Sequence, residues 1–407
     1  TACNYLQLLD DEVDQENLDC PLCDEKTENI EMLEPLGFRT SYRARDYDSS
    51  VERNFQMYEP ILEPIEESNE LTKKILSLRV TPYSQKNILI LNDNSEKLFP
   101  LYKNNVVYDE SFFPPEVVEK KYIEPKPSTY TDIEPKNVAI GAMKVTDVCV
   151  IEFESDQFNK KTNVLDLREV PHAAKNALRS FAELYVKVAL EILDIEASEI
   201  QVGYQRKKKN GNLVEQIFLS DKLDNGAGYA DKLSEEEVTL KILDTIIKDI
   251  KPEWESSKHN KCDSSCQKCL RNYDNRKVHG LLNWKLALDM SEIASGLRYD
   301  EDRWFDGIEK KLDGFVNAYS GLSFEIKKLG NVYAVVNNKR KLGVILTHPL
   351  WNTSREIYWP DVLRQAFTDL SAISGMEDIL PEKSFLDIMT FEKAPVELFH
   401  QLLGKPS

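Results

Sequence analysis

Six of the chain's seven cysteines fall in two tight groups, and these are the residues whose spacing suits chemistry. The later group is Cys262-Asp263-Ser264-Ser265-Cys266-Gln267-Lys268-Cys269, a C-x3-C-x2-C run. Zn²⁺ takes about four ligands at tetrahedral corners, with Zn–S near ~2.3 Å, and short spacers let one turn of backbone wrap the ion. Free buried thiols would not crowd a segment so rich in Asp, Ser, Lys and Asn. A Zn²⁺ site is therefore expected over unrelated thiols or a redox dithiol. The fourth ligand has to come from nearby. His279, ten residues after Cys269, is the favoured donor, and His259, three before Cys262, is the alternative. The plainer role of each is a surface or helix-capping histidine.

The earlier group is Cys3 with Cys20-Pro21-Leu22-Cys23. Two C-x2-C knuckles about that far apart make a zinc ribbon. One and a half are present. A cysteine just before Thr1 would make Thr1-Ala2-Cys3 the missing knuckle, so the chain is expected to be a fragment that starts inside the motif. A three-cysteine site closed by Asp19 or Asp24, or no metal, are the other readings. Clustered cysteines in a large cytosolic chain read as metal ligands rather than disulfides.

Charge is the second chemical signal. The 407 residues carry a formal net charge of -18, whereas a protein that coats DNA uniformly is basic. Any nucleic-acid contact must use a local patch, or a part of the protein outside this chain. Arg206-Lys207-Lys208-Lys209 is the strongest candidate patch, and Lys268, Arg271, Arg276 and Lys277 would extend it beside the cysteines. A solvated hairpin kept soluble by its charges is the competing reading.

Several enzyme motifs are missing. There is no G-x-x-x-x-G-K-[ST] phosphate loop and no D-E-x-H box, so no ATP hydrolysis is expected from this chain. Gly226-Ala227-Gly228 lacks a lysine or threonine placed for phosphate and reads as a tight turn. Phe324-Glu325-Ile326-Lys327 carries an E-x-K, but Val332 to Val336 on the neighbouring strand offers no acid. Those charges read as a solvent face. His348-Pro349-Leu350-Trp351 reads as a strand end packing an aromatic ring.

The elements that must hold these residues are legible in outline. Ile75–Val80 and Asn87–Leu91 look like strands. Five prolines from Pro114 to Pro135 mark a linker. Val145–Phe153 is a β-branched run, expected as a buried strand. Ala174, Ala177, Leu178, Phe181, Leu184, Tyr185 and Val188 recur at helical spacing over 172–193. Strands 199–204 and 213–219 flank Asn210-Gly211, a strong hairpin signal. A helix over 234–250 is expected to start on Ser234, with Glu237 three residues on. Another spans 281–293. The final unit shows the end of a helix at 315–319, strands at 323–329, 333–337 and 343–347, and a helix at 361–373.

Together these predict a multi-domain α+β fold: 1–34 a zinc ribbon, 35–136 a β-rich segment and linker, 137–295 a zinc-stabilised α/β domain, 296–407 a small α/β accessory unit. Apolar residues make up 41% of the chain, enough for such cores. No apolar run reaches the roughly 20 residues a bilayer needs, and residues 1–19 lack the basic start of a signal peptide. A cytoplasmic protein is expected.

The segment Cys262-x3-Cys266-x2-Cys269, then Leu270-Arg271-Asn272-Tyr273-Asp274-Asn275 and His279-Gly280-Leu281-Leu282-Asn283-Trp284, resembles the C-terminal zinc-binding domain of the mitomycin-repair helicases of superfamily 2. Thr146-Asp147-Val148, the helix over 172–193, Glu199–Gly203 and Asp224–Tyr229 follow in that family's order. The resemblance covers roughly 137–294. The same domain occurs in helicase-like proteins of the DISARM and Druantia phage-defence systems, and Tyr273, Asn275, His279 and Trp284 look more like that branch. Gly37-Phe38-Arg39-Thr40 is similar to their segment after the ribbon. Where the repair helicases have a fourth cysteine this chain has Asn275, a poor zinc ligand. The resemblance implies a helicase accessory region in antiphage defence, with helicase motor domains, DNA or a defence subunit as partners. A protein-interaction scaffold without DNA binding is the other class weighed, and a degenerate or active nuclease a third.

Overall fold

The computed structural model describes residues 19–34, 59–101, 136–158, 165, 171–256, 259 and 262–404, less 23, 28, 64, 66–70, 94–96, 210 and 374–378. Cys3, Cys23, Gly37–Thr40 and the proline-rich 114–135 stretch lie outside these residues. Of the three cysteines of the expected zinc ribbon, Cys20 is the one among the described residues.

The fold is α+β, with one large and one small sheet. The large sheet is organised around β6 (Lys136–Phe153), an 18-residue strand. Its neighbours are β4 (Leu78–Asn92) and β8 (Asn212–Asp221); β2 (Pro60–Leu62) and β7 (Ile200–Lys209) complete the order β2-β4-β6-β8-β7, while β1 (Glu31–Leu33) and β5 (Phe99–Leu101) pair with β6, and β3 (Lys73–Ile75) with β4. The strands expected at 75–80 and 87–91 are largely one strand, interrupted by a register shift between Tyr83 and Lys86. A short strand, Lys73–Ile75, folds back on it through a turn at Leu76, whose φ is 54°. The segments expected as a β-rich unit (35–136) and as a separate α/β unit (137–295) thus share a sheet.

Side chains alternate across β6 as a strand requires. Val148 and Val150 face a small core with Leu62, Ile88 and Phe218, while Cys149 and Ile151 face the main core. Both faces are covered, which is why the segment reads as a continuous β-branched run. Phe218 lies where Gly203 has no side chain: a Cβ at Gly203 would sit 2.0 Å from its ring. The sheet curls until β2 lies against β7. Arg179 closes that seam, donating to Glu59 Oε1 at 2.8 Å while its guanidinium lies 4.0 Å from the centre of the Tyr204 ring.

The expected long helix is α1 (Pro171–Leu193), and all seven residues of its predicted apolar face are buried. It packs on the main-core face of the sheet and against α5 (Trp284–Ala294). Between them the chain runs through α2 (Tyr229–Leu233) and α3 (Glu236–Thr245), then a π-helical turn Ile246–Ile250 into α4 (Lys251–Trp254). Ser234 does not cap α3. Its hydroxyl donates to Asp231 O at 2.6 Å, and Glu235 precedes the helix instead.

The C-terminal unit is a meander, β9 (Phe324–Leu329), β10 (Val332–Asn337) and β11 (Leu342–Thr347), with β12 (Phe385–Asp387) added parallel to β11. All six residues of β10 are buried. One contiguous apolar cluster runs from Ile75 to Leu402, through both the part that holds the cysteine cluster and the C-terminal unit. A buried polar knot crosses the same junction. Arg303 pairs with Asp289, Glu292 and Glu255, and Trp304 donates to Asp289 Oδ2 at 2.7 Å. His348, fully buried, accepts from Leu350 N at 3.1 Å through Nδ1, so its proton is on Nε2, 3.3 Å from Asp289 Oδ2. Among the described residues no helix is long and apolar enough to cross a membrane.

Candidate metal centre

Four potential ligand atoms converge between α4 and α5: one nitrogen of His259 and the sulfurs of Cys262, Cys266 and Cys269, all within 4.8 Å of one another. The local backbone explains the convergence. The Cys262 N–H donates to His259 O at 3.0 Å, and the Cys269 and Arg271 N–H groups both donate to Cys266 O. These turns fold the sequence back on itself so that side chains three to ten residues apart share one point. The Cys266 N–H also donates to Cys269 Sγ at 3.0 Å, a bond that favours thiolate over thiol.

Two of the six distances between the donors match the edges of a tetrahedral site. Cys262 Sγ and Cys269 Sγ are 3.9 Å apart, and Cys266 Sγ is 3.6 Å from His259 Nε2. A tetrahedron with metal–sulfur bonds near 2.3 Å has edges of about 3.8 Å. His259 Nδ1 lies 3.2 Å from the Trp254 carbonyl oxygen, which can only accept. Nδ1 therefore carries the proton and Nε2 presents its lone pair to the cysteines, the usual outer-shell arrangement of a ligating histidine. Burial pushes the His259 pKa down, which favours the neutral imidazole. Burial raises the pKa of Cys262 and of Cys269. At Cys266 burial also acts upward, but donated N–H groups and the neighbouring thiols outweigh it, and the net shift is downward. Three thiols so close together cannot all ionise without a cation among them, which is the situation a bound metal resolves.

The surrounding shell holds the cluster rigid. Trp254 stacks on His259 at 5.8 Å between centroids, and Trp284 meets it edge-on at 5.2 Å. Trp284 Nε1 donates to Cys262 O at 2.9 Å. Asn283 caps α5, its side chain accepting from the Lys285 and Leu286 N–H groups. Lys187 of α1 donates to the carbonyls of Lys268 and Cys269 at 3.1 and 3.0 Å. Cys269 and Leu270 are part of the main core.

The structure differs from the sequence expectation at the fourth ligand. His279 Nε2 lies 3.0 Å from Asn272 O and 2.9 Å from Asn275 Oδ1. The Asn272 carbonyl only accepts, so Nε2 carries a proton and is turned away from a ligand's role. The two asparagines exchange bonds, each N–H donating to the other's side-chain oxygen, and Asn275 Nδ2 donates to Glu183 Oε2 at 2.7 Å. Asn275 thus ties the loop to α1 and takes no part in the cluster. In sequence, His259 stood out only as the nearer histidine.

At the other cysteine group, Cys20 is buried and its Sγ accepts from Leu22 N at 3.4 Å. Cys3 and Cys23 lie outside the described residues. The hairpin forms as expected, with Lys209 opposite Asn212 and Gly211 at φ 80°. Its cations, however, meet carboxylates of the same protein. Lys209 pairs with Glu152 at 2.7 Å, Arg206 with Glu215 at 3.8 Å and Lys208 with Asp24 at 3.8 Å. Arg271 Nε donates to Ser265 Oγ at 2.8 Å, bracing the metal loop, while Lys268 and Lys277 are exposed.

The glycine-containing loop does not offer its amides to a ligand. Asp221, fully buried, accepts from the N–H groups of Ala227, Gly228, Tyr229 and Ala230. A protein carboxylate occupies the anion-binding nest at the start of α2, so the turn is structural. Glu325 and Lys327 pair with each other at 2.8 Å on an exposed edge of β9.

No protein-family model matches the chain, and no curated protein matches it. Among solved structures it is similar to the crystal structure of the DUF1998 helicase MrfA bound to DNA. The two share 14% identity with a TM-score of 0.34, over 58% of this chain and 25% of that one. The match therefore spans about a quarter of that protein's length.

Proposed function

We propose that the chain is a zinc-held accessory module of a superfamily 2 helicase-like protein of phage defence, contacting DNA while a motor in the same or another chain hydrolyses ATP. The observation that carries the metal is the convergence of His259, Cys262, Cys266 and Cys269 donor atoms within 4.8 Å, two of the donor–donor distances being those of a tetrahedral site. Three thiolates and an imidazole suit Zn²⁺ among biological divalent ions, and a closed four-ligand site with no open position is structural rather than catalytic. The sequence segments that resemble the repair-helicase zinc domain are the ones that build this site and its supports: Asn275 and Trp284 brace it, and Asp221 and the Asp224–Tyr229 turn start α2 beside the same core. That continuity supports the helicase reading; the earlier cysteines would supply a second zinc.

One observation favours a scaffold role for part of the surface. Carboxylates of the protein already pair with Arg206, Lys208 and Lys209, which weakens their claim on phosphates.

Purified chain is expected to carry one to two Zn²⁺ by elemental analysis. Cys266→Ser should lower that count by one and destabilise the fold, because structural zinc contributes roughly 10–16 kcal/mol of apparent binding free energy. Full occupancy in that variant would sink the site. DNA affinity that falls with salt supports the helicase reading. Its absence, with tight binding to a defence subunit, supports the scaffold.

A further inference from the structure

Tyr273 is the most exposed large apolar side chain among the described residues, at 74%, and the only aromatic ring in that class. Isolated exposed apolar residues are ordinary, but this one is not placed at random. It sits on the loop that leaves the metal cluster, four residues after Cys269. The reciprocal Asn272–Asn275 bonds and the His279 contact fix the backbone on either side of it. The Arg276 guanidinium lies 4.5 Å from the ring centre and covers one face.

The charge of this loop is opposite to that of the protein. From Cys266 to His279 the sequence holds Lys268, Arg271, Arg276 and Lys277 against a single carboxylate, Asp274, in a chain of net charge -18. The Lys187 ammonium joins them at the carbonyls of Lys268 and Cys269. An exposed aromatic ring backed by a guanidinium and flanked by lysines has the composition of a single-strand nucleic-acid platform. The ring stacks on an unpaired base, and the cations take the phosphates on either side.

We infer that Tyr273 and Arg276 form a base-stacking platform for single-stranded nucleic acid, positioned by the metal-held loop, with Lys268 and Lys277 on the flanking phosphates. This deepens the proposed DNA contact, on which it rests, and moves it from the hairpin to the metal centre. Duplex DNA offers no free base face except at its ends, so the platform discriminates against it.

The test uses the whole chain and a fluorescent oligo(dT) of about 16 nucleotides, the upper site size for one small binding fold, beside a blunt duplex of equal length. Affinities are measured over a salt series, and zinc content is checked in each variant. Tyr273→Ala should weaken oligo(dT) binding roughly 5- to 100-fold, the span for losing one stacked base. Tyr273→Phe should bind like the wild type. The two kinds of contact separate by salt. Stacking is not ionic, so the ratio of wild type to Tyr273→Ala should hold as salt rises. The ratio for the Lys268→Ala/Lys277→Ala double variant should shrink towards one. If Tyr273→Ala binds as tightly as the wild type while the lysine variant weakens, the platform is overturned and the DNA contact stands. Preference for the blunt duplex also overturns the platform. If the zinc-loaded chain binds no oligonucleotide even at low salt, both readings fail and the surface belongs to a protein partner.

Discussion

His259 and His279 are separated in role by the oxygen each ring faces. At His259 the Trp254 carbonyl accepts from Nδ1–H, so the Nε2 lone pair faces the cysteines. At His279 the Asn272 carbonyl accepts from Nε2–H, and that ring holds the loop. His259→Ala should therefore release zinc to a chelator much faster than the wild type. His279→Ala should retain it nearly as well and lose only loop rigidity. The reverse order, read with a colorimetric zinc dye, would mean the imidazoles exchange roles in solution. Acid should release the metal from the wild type, because protons compete for the three sulfurs and the imidazole. Burial holds the His259 pKa below its ordinary value, so the imidazole takes up its proton at a lower pH than an ordinary histidine does.

At the scale of elements, the start of α2 depends on one side chain. Four consecutive backbone N–H groups point at the Asp221 carboxylate. The Asp221 backbone carbonyl in turn accepts from Thr146 Oγ at 3.1 Å and Lys144 Nζ at 2.8 Å. Substitution by alanine leaves those amides without an acceptor in a partly buried loop, at about 1–3 kcal/mol for each buried donor that water cannot reach. Asp221→Ala is expected to lower the urea midpoint clearly and to raise amide exchange over 224–230. Asp221→Asn, which keeps one acceptor oxygen, should fall between. Unchanged exchange in the alanine variant would show that the turn holds itself.

The whole molecule folds around a core that passes from the curled sheet through α1 and α5 into the C-terminal meander. The Asp289–Arg303–Glu292 knot is nearly without solvent: the Arg303 side chain is 3% exposed and that of Asp289 is 0%. Removing one partner of such a buried set strands the others, at roughly 3–5 kcal/mol. Arg303→Met should cost that much, and the cysteine-cluster and C-terminal units should still unfold together, because the apolar cluster is shared. A calorimetric trace that splits into two transitions in the wild type would show that the units are independent.

What the sequence determined by itself was local. The period of the apolar residues set α1, because a helix must put its greasy face on one side, and short apolar runs set the strands of the meander. Asn210-Gly211 set the hairpin, since a two-residue loop needs positive φ. The C-x3-C-x2-C spacing set three of the four donors that converge, since they share a loop. The tertiary structure decided whatever depended on a distant partner. Pro82 and the polar residues Ser84 and Gln85 look like a break, yet pairing with β6 on both sides carries the strand through it. Arg206 to Lys209 look like a free cationic tip until Glu152, more than fifty residues earlier, is placed under Lys209. The fourth donor was the hardest case. Two histidines flank the cysteines at workable spacings, and only the carbonyl that each ring meets in the folded chain determines which nitrogen keeps its lone pair.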